Sequence, residues 1–201
     1  TVFECLTIVY IINASKINAD YNIQETGALW RLDSNNINDF PRLQVCTNIN
    51  KQHLAKLWNK FNYADSRVDL VAIGSPHASL TECQSFVKFF NGKNCNPNVK
   101  TIITIGRDIL SKAKSEGLVE QLTSAGVQII SDICWCSITE PILPPEASVI
   151  MTNSGKYAHY AHGLTGRKTR FGSLKDCAIA AQSGWAKSCL LYTSPSPRDQ
   201  C

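Results

Sequence analysis

Residues 68–77 read Val68-Asp69-Leu70-Val71-Ala72-Ile73-Gly74-Ser75-Pro76-His77, and this stretch decides the fold class. Val68–Ile73 is apolar, too short for a helix and closed by Gly-Ser-Pro, so it reads as a buried strand running into a loop. Ser79 follows, with Glu82 three residues on. That is a capping box, and it opens a helix through Phe86, Val87, Phe89 and Phe90 that stops near Gly92. The same alternation continues outward. Val99–Ile105 is a second strand, and Arg107–Glu116 a helix with Asp108 as its cap. Leu118–Ala125 is another helix, closed by Gly126. Val127–Ser131 is a third strand ending at Asp132-Ile133-Cys134. Ala147–Met151 is a fourth, followed by the loop Thr152–Lys156. Thr169–Phe171 is a short strand, and Ser173 caps a helix from Leu174 to about Lys187. Near-continuously apolar strands separated by helices predict an α/β fold: a mostly parallel sheet with helices on both faces.

Composition narrows the function classes. Of 201 residues, 44% are hydrophobic and 18% charged, so the chain has the means to build a core. The longest apolar run, Leu6–Ile12, is far below the ~20 residues of a membrane span. A net charge of +4, with the basic residues scattered, predicts no nucleic-acid partner. Nine cysteines, odd in number and irregular in spacing, follow no disulfide framework. Without a recognisable secretory signal they read as reduced thiols of a cytoplasmic protein. Residues 1–62 parse poorly. Thr1–Ile12 is strand-like, an Asn-rich stretch follows, and Asn50–Phe61 fits a helix with Leu54, Leu57, Trp58 and Phe61 on one face. Residues 63–188 form the readable unit. Residues 189–201, with two prolines and no apolar period, read as a non-native tail. The first residue is Thr1, and the chain reads as a piece of something longer.

Parallel sheets bind ligands beyond the carboxyl ends of their strands. The loops there are 74–79, 106–108, 132–137 and 152–156. They carry Ser75, His77 and Ser79, then Cys134 and Cys136, then Asn153, Ser154 and Lys156. Cys177 falls in the first turn of the last helix, whose positive end favours a thiolate. Lys156 follows Thr-Asn-Ser-Gly, but the full G-x-x-x-x-G-K phosphate-loop pattern is absent. Cys134-x-Cys136 is neither a redox C-x-x-C nor half of a zinc-type set. Cys134 and Cys177 on converging elements can supply part of an iron–sulfur site.

Four segments carry a resemblance: VDLVAIGSPHASLTE (Val68–Glu82), Asp132-Ile133-Cys134, MTNSGKYAHYAHG (Met151–Gly163) and FGSLKDCAIAAQSGW (Phe171–Trp185). In order and spacing they resemble the large subunit or catalytic domain of aconitase X, over roughly Asp65 to Lys187. The resemblance implies an aconitase-like fold and a hydro-lyase that removes water from a small hydroxy acid. It implies an iron–sulfur cluster, 2Fe-2S or 4Fe-4S, held by three cysteines, of which Cys134 and Cys177 match two. The third belongs to a region not matched here, and Cys136 is a reserve candidate. The family's small swivelling subunit or domain, with its active-site serine, is also outside the match, so the chain alone is expected to be inactive. On this reading Ser75, His77 and Lys156 are the catalytic candidates, and Ser79, Asn153 and Ser154 the substrate-binding ones. The family's substrates are cis-3-hydroxy-L-proline and 5-phosphomevalonate. An Asn-rich chain of low charge is unlike a hyperthermophile's, which favours the first. Arg167, Lys168 and Arg170 are expected on a solvated face. The alternative from another class is a non-catalytic α/β binding module with merely buried cysteines.

Overall fold

The computed structural model describes residues 51–186. The strand-like reading of residues 1–12 and the tail 189–201 lie outside them. The elements are α1 (Lys51–Phe61), β1 (Leu70–Ala78), α2 (Leu80–Phe90), β2 (Lys100–Ile105), α3 (Arg107–Ser115), α4 (Leu118–Ser124), β3 (Val127–Ser131), β4 (Val149–Thr152), α5 (Gly155–Thr165), β5 (Lys168–Phe171) and α6 (Leu174–Ser183). A short 3-10 turn, Trp135–Ser137, lies between β3 and β4.

The five strands form one sheet in the order β3-β2-β1-β4-β5, and every pairing is parallel. The side chains of β1 alternate between two cores, as a strand buried on both faces requires. Val71 and Ile73 join Phe86, Phe90, Leu122, Ala178 and Ala181 beneath α2, α3, α4 and α6. Leu70 and Ala72 face Trp135, Ile138, Leu143, Tyr157 and Ala161 on the other side. Leu57 and Phe61 of α1 pack on Ala158 and Phe171, so α1 is joined to this fold although it precedes residue 63. The expected α/β architecture, a parallel sheet with helices on both faces, is therefore present.

Several local readings are corrected. The segment after Ile73 is not a free loop: β1 continues to Ala78, and its pairing with β2 slips between Ile73 and Ala78. Asp108 is not a cap, because Gly106 holds that position with no side-chain bond. Lys156 lies in the first turn of α5, a helix whose Gly155 and Gly163 hid it in the sequence. The last helix ends at Ser183, where Gly184 takes φ +81° and its N–H caps the carbonyl of Ala180. Arg170 is not solvated: it is buried and donates to the carbonyls of Asn62 (3.3 Å) and Ala64 (3.0 Å). Arg167 likewise serves the fold, donating to the carbonyls of Ala147 (3.1 Å) and Thr165 (2.6 Å). No helix among the described residues is long and apolar enough to cross a membrane.

Candidate functional site

The carboxyl ends of β1, β2 and β4 and the N-termini of α2, α5 and α6 converge on one edge of the sheet. The bulge of β1 is built around Gly74, whose φ is +83°. A Cβ there would stand 2.4 Å from the carbonyl oxygen of Thr104, so only glycine fits. The Thr104 hydroxyl sits among the carbonyls of Gly74 (2.8 Å), Pro76 (2.9 Å) and Ile73 (3.3 Å) and holds the bulge from beneath. Ser75 and His77 are carried by this bulge. His77 is exposed and stands beside Gly106. The Ser75 Oγ is buried and has no nitrogen or oxygen partner.

Each of the three helices begins on a serine that accepts from its own first turn. Ser79 and Glu82 complete the expected capping box, and Ser173 forms a second one with Asp176. Ser154 accepts from the N–H of Tyr157 at 3.2 Å. Glu82 does more than cap: its Oε1 accepts from Asn153 Nδ2 at 3.0 Å, which ties the start of α2 to the loop after β4. Sequence reasoning missed this tie, because nothing local links residues 82 and 153. Ser75, His77, Ser79, Asn153 and Ser154 line one cavity of about 710 Å³, with Glu82, Ser173 and Lys175. A wider cleft of about 930 Å³, between Arg67, Asn98, Glu146 and Trp185, lies at the opposite, amino edge. Ligand sites of such sheets are not found there.

Cys134, Cys136 and Lys156 form a neighbouring group rather than part of that cavity's lining. The Trp135 indole donates to the carbonyl of Ile73 at 2.9 Å and stacks obliquely on Tyr157 at 5.3 Å, which fixes the Cys134–Cys136 turn against β1. Asp132 adopts a left-handed backbone (φ +58°) and accepts from the N–H (2.9 Å) and Nε (2.8 Å) of Arg107. Those bonds, the backbone N–H foremost, hold its carboxyl below the usual range. Burial by itself would raise the Cys134 thiol. The N–H and thiol of Cys136, the Lys156 ammonium and the Ser75 hydroxyl outweigh it, and the group titrates below an ordinary cysteine. Burial and the Cys134 charge push Cys136 the other way. The Tyr157 hydroxyl is buried without a partner, and burial raises its pKa.

Cys177 sits in the first core cluster, fully buried at the start of α6, and is not among the cavity's lining residues. Cys83, Cys95, Cys134, Cys136 and Cys177 form no disulfide. Burial pushes Cys83 up to about 11, which marks it as a core thiol. The donor chemistry fits part of an iron–sulfur site. Cys134 is half-buried, and the Lys156 ammonium is among the groups that favour its thiolate. Among the described residues no three His, Cys, Asp or Glu side chains are close enough to hold a metal ion.

Residues 68–183 match the family model described as Aconitase X third domain. The chain is 39% identical over 137 residues to the cis-3-hydroxy-L-proline dehydratase of Pseudomonas aeruginosa, covering 68% of this chain and 24% of that protein. It is 40% identical over 142 residues to the enzyme of that name from Hypocrea jecorina, covering 70% and 24%. It is 25% identical over 128 residues to the phosphomevalonate dehydratase large subunit of Methanocaldococcus jannaschii, covering 64% and 31%. The crystal structure of Thermococcus kodakaraensis aconitase X in its holo-form superposes with a TM-score of 0.59 at 27% identity, covering 67% of this chain and 34% of that one. The chain thus spans about a quarter of the length of the two dehydratases it matches at 39% and 40% identity.

Proposed function

This chain belongs to the aconitase X family, and on that premise we propose that it is the third domain of a hydro-lyase that dehydrates cis-3-hydroxy-L-proline with the help of an iron–sulfur cluster. The observation that carries the substrate is the gap between relatives: 39% and 40% identity to the two cis-3-hydroxy-L-proline dehydratases against 25% to 32% to the phosphomevalonate dehydratase large subunits. The acid-shifted thiol at Cys134 supports the cofactor.

Cys134 and Cys177 are the ligands this domain contributes, with Cys136 in reserve. Bound there, the cluster supplies a Lewis acid for the leaving hydroxyl and the substrate carboxylate. The chain's own residues do the rest. Lys156 offsets the charge of the Cys134 thiolate and attracts the substrate carboxylate as a point charge. Ser79, Asn153 and Ser154 offer hydroxyl and amide donors along the cavity. His77 is exposed at that cavity and moves a proton, taking it from the carbon next to the carboxylate or giving it to the departing hydroxyl. The open side of the cavity is where a small swivelling subunit or domain would close the site and exclude water.

Anaerobic reconstitution of the full-length protein with iron and sulfide tests this. Visible charge-transfer absorption and formation of 1-pyrroline-2-carboxylate from cis-3-hydroxy-L-proline are expected. Cys134→Ser or Cys177→Ser should lose both, and His77→Ala should keep the absorption and lose turnover. A colourless protein points to a binding module instead. Turnover of 5-phosphomevalonate alone reassigns the substrate, and a cysteine variant with a normal cluster and full activity refutes the ligand assignment.

A further inference from the structure

We propose that Glu82 is a positioning residue for substrate binding: its carboxylate holds the side-chain amide of Asn153 in one of two orientations, and so sets what that amide presents to a hydroxy acid in the cavity. The proposal rests on the reading of Asn153 as a substrate-binding residue of the dehydratase.

Both side chains line the same cavity, although they lie 71 positions apart in the sequence. Glu82 belongs to the first turn of α2, and Asn153 to the loop between β4 and α5. The two carboxylate oxygens of Glu82 are divided between two tasks. Oε2 accepts from the N–H of Ser79 at 2.9 Å and from its hydroxyl at 3.0 Å, which closes the cap of α2. Oε1 accepts from Asn153 Nδ2 at 3.0 Å. Capping alone does not call for the second contact. Asp176 holds the equivalent place in α6 and completes the same kind of box through Oδ2, on a side chain one methylene shorter. Glu82 therefore has more reach than its cap requires, and the additional reach joins it to Asn153.

This contact has a definite chemical sense. A carboxylate only accepts, so the end of the amide turned to it must be the NH2 group. The amide oxygen is thereby turned the other way. An asparagine amide that is not held has two orientations of nearly equal shape, which exchange donor for acceptor, and a given ligand fits one of them. Apparent affinity falls in proportion to the fraction of molecules in the competent orientation. By fixing that orientation before the ligand arrives, Glu82 keeps the affinity near its intrinsic value. It does so through Asn153, with no contact of its own to the substrate.

The test uses the full-length protein, reconstituted anaerobically, as wild type, Glu82→Gln, Glu82→Asp, Asn153→Ala, and Asn153→Ala combined with Glu82→Gln. The readouts are KM and kcat for cis-3-hydroxy-L-proline. Glutamine closes a capping box as glutamate does, but it has one oxygen. With that oxygen on Ser79, its NH2 group meets Asn153 and favours the reversed amide. KM should rise about tenfold, as the competent fraction falls to roughly a tenth. The kcat should hold, because every molecule that has bound substrate already has the competent orientation. Glu82→Asp keeps the cap and the charge and gives up the reach. It releases the amide without reversing it, and KM should rise only about two- to threefold. In the Asn153→Ala background Glu82→Gln should change KM no further, since the group it acts through is gone. If Glu82→Gln does not fold, Glu82→Asp takes its place in the same cycle. An unchanged KM in the Glu82 variants overturns the proposal. So does a rise that is the same with and without the Asn153 side chain, which places the effect in the cap or in direct contact with the substrate. A wild-type KM in Asn153→Ala overturns the reading of Asn153, and a wild type that turns over no cis-3-hydroxy-L-proline overturns the dehydratase reading; the proposal falls with either.

Discussion

Replacing Thr104 by valine keeps the outline of a fully buried side chain and deletes one hydroxyl. That hydroxyl has a single proton and three carbonyls within reach, at 2.8, 2.9 and 3.3 Å. The Ile73 carbonyl at 3.3 Å is served already by the Trp135 indole at 2.9 Å. The bond at stake is therefore the one to Gly74 or Pro76, and its loss leaves a carbonyl of the bulge unpaired. Stranding a buried acceptor costs about 1–3 kcal/mol. Taking roughly 2 kcal/mol, the melting temperature should fall by about 4–8 °C for a chain of this size. Urea unfolding should show a lower midpoint at an unchanged slope, since the surface exposed on unfolding stays the same. Thr104→Ser keeps the hydroxyl and gives up one methyl, worth about 0.8 kcal/mol. The valine variant should thus be the less stable of the two. If it matches wild type while the serine variant falls below it, the bulge is held by packing and the hydrogen-bond reasoning is wrong.

Gly74→Ala should cost about 3 kcal/mol or more, since a left-handed L-residue adds to a Cβ lodged 2.4 Å from a backbone oxygen; a urea midpoint equal to wild type would mean the bulge can move aside. Asp132 should titrate by NMR below the ordinary aspartate value of about 3.9, because its partners favour the charged form. A depressed pKa contributes stability above the unfolded value that is lost as pH falls through the folded one, so the contribution disappears on the acid side only. Arg107→Ala should raise that pKa only in part, because the Arg107 N–H remains; a full return to the free value would place the effect in the guanidinium. In alkylation at pH 8 followed by mass spectrometry, Cys134 should react well before Cys83, whose pKa is about 11 and whose side chain is buried; the reverse order would contradict the assignment of their environments.

The strands and their direction were legible because their cause is local. Val127–Ser131 runs between Gly126 and the polar Asp132, and its bounds in the structure agree with the reading to the residue. The Ser79–Glu82 box and the Ser173 cap were legible for the same reason, since both partners lie within one turn. What escaped depends on contacts between distant residues. Helix α5 has a glycine at its start and another within, and it is held by Tyr157 and Ala161 packing on Trp135 and Ile150, none of which its own propensity reveals. Arg170 read as a solvated cation because its acceptors, the carbonyls of Asn62 and Ala64, are more than a hundred positions away. Within the site, the residue types and the edge of the sheet were readable, and the division of labour was not. Only the structure shows the Ser75 hydroxyl buried, and Cys177 sealed in the core rather than open to the cavity.

The loops of the carboxyl edge are fastened to one another by the indole of Trp135 on β1, by Arg107 on Asp132, and by Asn153 on Glu82. A guest arriving there meets side chains whose rotamers are already chosen. Immobilising one long side chain costs about 0.5–1.5 kcal/mol on association, and here folding has met that cost in advance. Ligand variants that lose a contact to these loops should therefore differ mainly in how fast they leave, since the loops themselves are set before a ligand enters.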